Sequence, residues 1–278
     1  MKKIITLLLI TSMLVLSFAG CTSTKPSESS ADDKSLQKML DKKEFVLGLD
    51  IEFPPMGYKD TESGDIIGFD IDLATEVCKR LDVELKLQPI IWDNKELELN
   101  SGNIDCIWNG MSFTKERDEQ LNLTGPYMSN NQIIITKASA DFSTKADLKD
   151  KKLGVQAKSS AESALDKNAD FKATLKEVVP TESYTTALLE LENGTIDCIA
   201  IDEVVARYYM STSDKDYKVI TDGDKDFSLA AEDYVIGFRK ADTTLKDEIY
   251  KTLQEMKKDG ELAKISTKWF DKDITTVK

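Results

Sequence analysis

The sequence predicts an α/β fold of two similar lobes, each a mainly parallel sheet flanked by helices, joined by two crossover strands. Three observations predict it. Short apolar runs alternate with segments of helical periodicity, the order expected of parallel strands and their covering helices. That order starts twice, near residue 45 and again near residue 152. One phrase also recurs: LNSGNIDCIWNG at 99–110 and LENGTIDCIAID at 191–202 share the frame L-x-x-G-x-I-D-C-I, 92 residues apart.

The chain begins with Lys2 and Lys3, then an uncharged, mostly apolar run of 15 residues at 4–18. This is shorter than the roughly 20 residues of a spanning helix and has the length of a secretory signal's apolar region. Ala19-Gly20 then precede Cys21, small residues before a cysteine in the manner of a bacterial lipobox, although Phe18 is bulkier than that pattern. Residues 1–20 are expected to be a lipoprotein signal peptide and Cys21 the lipidation site, tying the protein to a membrane by its acyl chains. Residues 21–36 are Ser/Thr-rich and are expected to form a flexible tether. No later stretch is long and apolar enough to span a bilayer.

Residues 45–49 (FVLGL) read as a buried first strand that stops at Asp50, and Pro54-Pro55 enforce a loop. Gly64 and Gly68 punctuate turns. A helix opens at Asp70 or Asp72, with Ile71, Leu73, Ala74, Val77, Cys78 and Leu81 at helical spacing. Helix capping is the expected role of both aspartates, since a calcium loop needs more oxygen ligands and a glycine turn. Residues 83–89 alternate like a strand, 95–99 form a short helix ended by Gly102, and 104–108 form a strand ended by Asn109-Gly110. An Asp/Lys-rich connector fills 141–152, and then the pattern restarts. It gives a strand at 152–155, a helix from Ala161, a strand at 178–179, a helix at 185–192 ended by Gly194, a strand at 196–201 and a helix at 204–210. Residues 132–136 and 234–238 are strand-like and can carry the chain between lobes. This places lobe one at 37–132 and 237–278, and lobe two at 133–236.

The repeat has a local meaning. In each half a helix ends at a glycine, which takes the left-handed conformation without a Cβ penalty, and the chain turns into a strand covered on both faces. Asp105 and Asp197 enter those strands where they can accept turn N–H groups. Ligands of open α/β sheets bind beyond the carboxyl ends of the strands, so the residues just past the repeat matter most. They are Asn109-Gly110-Met111-Ser112 in one half and Asp202 in the other.

Composition narrows the function. A formal charge of −13 argues against nucleic acid and anionic lipid headgroups as partners. The absence of histidine removes Ser-His-Asp and Cys-His catalysis and His-ligated zinc. Cys78, Cys106 and Cys198 lie in apolar patterns without C-x-x-C spacing and read as small buried hydrophobes. Trp108, inside a strand, reads as core. Neither a metal nor a cofactor is expected.

Several stretches, in this order, resemble the solute-binding proteins of polar amino acid ABC importers. They are GLDIEFPPM at 48–56, IIGFDIDLA at 66–74, NGMSFTKER at 109–117, L-x-L-T-G-P-Y at 121–127, GVQAKSS at 154–160, IDCIAID at 196–202 and DGELAKISTKWF at 259–270. The resemblance covers nearly all of residues 42–272. It implies the periplasmic binding protein fold, a monomer, an amino acid bound between the lobes, and delivery to ABC permease subunits outside the cytoplasmic membrane. By the same resemblance, Arg117 stands at the position of the carboxylate-binding arginine, joined by Ser112 and by Ser160 at a helix start. A guanidinium can pair with a carboxylate bidentately. Asp202 stands at the position of the ammonium-binding aspartate, with the Gly110 carbonyl as a helper. Asp50, Phe53 and Trp92 stand where the ligand side chain is contacted, and Asn109, Gln156 and Ser159 line the pocket. Lys158 departs from the family's glycine. It either strains its loop or reaches the cleft to favour an acidic side chain. Asp50 suits a cationic or an amide side chain equally. Two other readings stay open. One is a dehydratase-type enzyme on the same scaffold, which needs a general acid or base. The other is an amino acid-sensing module, which expects a membrane helix and a signalling domain after the fold.

Overall fold

Two sheets carry the chain in a computed structural model that describes residues 33–278. The expected signal peptide, Cys21 and the tether up to residue 32 lie outside the described residues. In the first sheet the strand order is Glu84–Pro89, Glu44–Leu49, Cys106–Ile107, Gly237–Arg239, Leu121–Leu123. The first three run parallel, Gly237–Arg239 runs against them, and Leu121–Leu123 pairs antiparallel with Gly237–Arg239. The second sheet is ordered Glu177–Thr181, Lys152–Gln156, Cys198–Asp202, Met128–Lys137, again with three parallel strands and then an antiparallel one. The far side of Met128–Lys137 takes Tyr217–Val219 and then Ser228–Tyr234.

Helices cover both sheets by their apolar stripes. Phe69–Leu81 buries Phe69, Ile71, Leu73, Ala74, Val77 and Cys78, the helical spacing seen in the sequence. Tyr184–Asn193 buries Tyr184, Ala187, Leu188 and Leu191 in the second half. No helix among the described residues is long and apolar enough to cross a membrane.

The repeated phrase performs one device twice. Ile104 fills the hollow left by Gly48 on the neighbouring strand, where an added Cβ would meet its Cδ1 at 2.4 Å. Ile196 does the same at Gly154, also at 2.4 Å. The Asp105 carboxylate accepts the Val46 N–H at 2.8 Å, and the Asp197 carboxylate accepts the Lys152 N–H at 2.8 Å. Both aspartates thus bond the adjacent strand rather than their own turn. Cys106 and Cys198 follow as buried free thiols, as does Cys78 on its helix.

Three expectations need correction. The tether does not extend to residue 36. Ser35–Lys42 is a helix that buries Met39, and the Asp33 carboxylate accepts the Thr244 N–H at 2.6 Å. Apolar contact and that bond order the segment. The first crossing precedes 132–133, because Met128–Lys137 pairs with the second sheet from Met128, which faces Tyr234. The chain returns between Tyr234 and Gly237. Asp70 and Asp72 do not cap their helix, whose N-cap is Gly68. Asp70 is buried and accepts the Gly110 N–H at 2.7 Å and the Tyr127 hydroxyl at 3.0 Å. Asp72 accepts from Lys268 and the Trp269 indole, which ties on the last helix, Glu261–Phe270.

Replacing either repeat aspartate leaves a strand N–H without its acceptor. Asp197→Ala is expected to lower stability by about 1–3 kcal/mol. Asp105→Ala is expected to cost at least as much, since Asp105 also lies 3.6 Å from Arg239. Urea unfolding of the two variants checks this. A loss confined to one lobe would show that the device is not shared.

Candidate functional site

The strand ends of the two sheets face one another, and the predicted residues gather between them. Asp50 closes the strand Glu44–Leu49, and its carboxylate accepts the Gln156 side-chain N–H at 2.7 Å from the other lobe. Phe53 rests on Tyr184 of the second lobe, ring centroids 5.7 Å apart. Gly110 has φ +58, and a Cβ there would lie 2.6 Å from Phe53 and 3.2 Å from Tyr234. The turn after the first repeat therefore needs glycine on two counts.

Arg117 sits in the first turn of helix Lys115–Gln120, held there because the Thr114 hydroxyl accepts its N–H. Its guanidinium donates to the Ser112 carbonyl at 2.7 Å and to the Lys158 carbonyl at 3.2 Å, and lies 6.0 Å from the Trp92 ring centre. Ser160 opens helix Ser160–Lys167, and its hydroxyl lies 3.1 Å from that of Ser112 across the cleft. Asp202 ends the strand Cys198–Asp202. One of its oxygens accepts from Asn130 at 2.8 Å and the Tyr234 hydroxyl at 2.7 Å, and the other accepts the Tyr184 hydroxyl at 2.9 Å.

Two predicted residues have their side chains committed to scaffold bonds. The Asn109 side chain accepts the Asp50 N–H at 3.1 Å and donates to the Gly57 carbonyl, so it fixes Asp50 in place. The Ser159 hydroxyl caps its helix by accepting the Glu162 N–H. Lys158 does enter the left-handed region, at φ +56. That turn aims its carbonyl at Arg117. Its side chain instead faces Asp93, 4.0 Å away and exposed, so the option of a lysine reaching the ligand is not realised.

Sequence reasoning missed several residues. Lys95, 1% exposed, donates to the carbonyls of Trp92 at 3.2 Å and Lys158 at 3.3 Å, and lies 4.9 Å from the Trp92 ring centre. Burial and the neighbouring Arg117 charge pull its ammonium down to about 8. Glu232, on the second crossover strand, accepts from Ser112, Ser160 and Gln132. Asn130, Gln132, Tyr184 and Tyr234 complete the walls. Polar residues in a strand otherwise buried on both faces, such as Asn130 and Gln132, are the one signal that could have pointed here.

Burial pushes the Asp50 carboxyl up to about 6. Burial, then the nearby Glu232 charge, pushes Asp202 up to about 6. Burial also holds the Arg117 guanidinium below its ordinary value. One end of the cleft therefore offers cationic donors, and the other offers carboxylates.

The pattern of bacterial extracellular solute-binding proteins, family 3, matches residues 45–272. The chain belongs to this family. This solute-binding protein is 28% identical to the L-cystine-binding protein TcyA of Bacillus subtilis, over 99% of each chain. It is 30% identical to the histidine-binding periplasmic protein of Salmonella typhimurium, over 82% of this chain and 88% of that one. A crystal structure of an ABC uptake transporter substrate-binding protein from Streptococcus pneumoniae with bound histidine superposes with a TM-score of 0.83. That protein is 38% identical, with 89% of this chain and 100% of that one covered. The relatives are named as binding proteins, and the two-lobe α/β fold is common to the family.

The raised Asp202 carboxyl sets a testable sign for this solute-binding protein. A carboxyl raised by folding binds more protons folded than unfolded between its two pKa values, so stability falls as pH rises from about 4 to about 6. Asp202→Asn removes the ionised form. The ligand-free variant is expected to melt higher than the wild-type protein at pH 7, by on the order of 1–3 kcal/mol, and the gap is expected to close near pH 4. Melting curves at the two pH values check it, and a wild-type protein that melts higher at pH 7 would contradict it.

Proposed function

We propose that this protein captures a polar amino acid between its lobes outside the cytoplasmic membrane and passes it to an ABC importer, without chemical turnover. The observation that carries the reading is the separation of charge in the cleft. Arg117 and Lys95 stand at one end, and Asp202 with Glu232 at the other, each held by groups from both lobes or from the crossover strands. A zwitterion answers both ends at once. Its carboxylate joins Arg117 and the backbone N–H groups of Ser112 and of the start of the Ser160 helix, where the helix dipole favours an anion. Its ammonium joins Asp202. Its side chain extends toward Asp50, Phe53, Trp92 and Gln156, two rings and two polar groups that suit a polar side chain. Cystine and histidine, in the names of the relatives, are side chains of this kind.

Because each lobe holds part of the ligand, binding favours the closed arrangement. Among the twenty amino acids, at least one is expected to raise the melting temperature, by mass action on the native state. Arg117→Ala is expected to weaken that ligand about 30-fold or more, the cost of removing one partner of a buried charge pair. If no amino acid shifts melting and Arg117→Ala changes nothing, the reading fails.

The lipid anchor is part of the same proposal and rests on the run at 4–20 followed by Cys21. Mass spectrometry of the mature N-terminus is expected to find a diacylglyceryl cysteine at Cys21. A mature chain beginning elsewhere, or an unmodified Cys21, would remove the anchor and leave the ligand site untouched.

A further inference from the structure

Glu232 was absent from every motif, yet it joins both lobes and both crossover strands through one oxygen. Its Oε2 accepts the Ser112 hydroxyl at 2.7 Å, the Gln132 amide at 2.9 Å and the Ser160 hydroxyl at 3.1 Å. A carboxylate oxygen only accepts, so these bonds fix where the protons lie. The Ser112 proton points at Glu232. The Ser160 proton points at Glu232 or at Ser112 Oγ, also 3.1 Å away. Neither hydroxyl proton is left for a ligand, and each hydroxyl presents lone pairs.

The amides are fixed by the same rule. Gln132 must turn its nitrogen to Glu232, and Asn130 must turn its nitrogen to Asp202. Gln132 Oε1 and Asn130 Oδ1 are then buried acceptors without a partner. This end of the cleft has a surplus of acceptors and two carboxylates, and no ion-pair partner of either carboxylate appears among the described residues. Asp202, Asn130 and Gln132 are buried and Glu232 is half-buried beside them, and a set of acceptors of this kind favours a cation with several protons.

We propose that Glu232 is a specificity-determining residue. By claiming the hydroxyl protons of Ser112 and Ser160, it turns both serines into acceptors, and with Asp202 it makes the cleft select a protonated α-amine. The serines then serve the ammonium end. The ligand carboxylate is left to Arg117 and backbone N–H groups, a division that the expected role of the Ser112 hydroxyl did not include. This rests on the amino acid reading above and names the group on the ligand that the cleft tests.

The experiment is calorimetric titration of the wild-type chain, E232Q and Glu232→Met with the twenty L-amino acids and the matching L-α-hydroxy acids, in which a hydroxyl replaces the α-amine. Ligand-free melting establishes that the variants fold. The side chains are near in length to glutamate, and either variant, folded, decides the matter. The wild-type chain is expected to bind at least one amino acid about 100-fold or more tighter than its hydroxy acid. Each variant is expected to narrow that ratio about tenfold or more, since E232Q removes the charge and Glu232→Met removes both the charge and the acceptor that orients the two hydroxyl protons. An unchanged ratio in a folded variant overturns the proposal while leaving the amino acid reading intact. A wild-type chain that binds none of the twenty overturns both.

Discussion

The cleft buries Asp50, Asp202 and Arg117 and half-buries Glu232, and these charges form no ion pair with one another among the described residues. Asp50 is held by Gln156 and the Glu52 N–H, Asp202 by two tyrosine hydroxyls and Asn130, and Glu232 by two serines and Gln132. Arg117 is held by two backbone carbonyls. Neutral donors and acceptors orient these groups without cancelling their charge. An ionised group out of water costs several kcal/mol unless it is paired, and the raised carboxyls of Asp50 and Asp202 are the signature of that cost. Folding has to supply enough rigidity elsewhere to keep such groups in place.

That rigidity comes from the strand ends. In each lobe an isoleucine locks into a glycine hollow on the next strand, and an aspartate bonds that strand's N–H. The central strands of both sheets are thereby fixed in register just before they deliver their last residues to the cleft. The second crossover strand adds the other restraint. Met111 and Asp233 carbonyls accept the Val235 and Phe113 N–H groups, each at 2.8 Å, so the loop carrying Ser112 is fastened to the strand carrying Glu232 and Tyr234. Ser112 meets Glu232 because of that fastening.

The parts of the site that were legible in the sequence are those that local pattern controls. Residues at the ends of apolar runs lie at the carboxyl ends of strands, so Gly110, Ser112 and Asp202 could be placed from runs and punctuation, and the resemblance adds a ligand role for Asp50, which ends the first run. Arg117 could be placed by the resemblance of NGMSFTKER at 109–117 to the family, and the short capped helix that holds it emerges only in the structure. Lys95 could not, because a lysine opening a polar helix reads as solvated. It is buried among Trp92, Glu96 and the Lys158 carbonyl, the last aimed at it by a left-handed backbone 63 residues away. Glu232 could not either. SLAAEDY reads as an alternating edge strand, and nothing local says which face meets the cleft. The tyrosines around Asp202 come from a helix and a crossover strand that touch only after folding. The errors have the same origin. Asn109 and Ser159 sit in matching motifs, but their side chains are taken by nearer backbone partners, an outcome set by angstrom-scale geometry that residue type does not carry.

The Lys158 carbonyl also bears on how closure depends on the occupant. This lobe-two acceptor meets both Arg117 and Lys95, at 3.2 and 3.3 Å. A neutral carbonyl can orient two cations and cannot neutralise them. Bringing the lobes together around an empty cleft therefore sets Arg117 and Lys95 close together at one end, with Glu96 3.4 Å from Lys95, and carboxylates together at the other. Burial, with the Arg117 charge added to it, pulls Lys95 down to about 8, and burial, with the Glu232 charge added to it, pushes Asp202 up to about 6. An occupant with one anionic and one cationic group relieves both strains in a single step. The same interactions that recognise it then stabilise the closed form over the open one, and a ligand shifts such an equilibrium only by its differential affinity for the two states. A molecule lacking either charge leaves one crowded end unrelieved, so the difference between binding and merely entering the cleft is set by the groups that oppose closure when the cleft is empty.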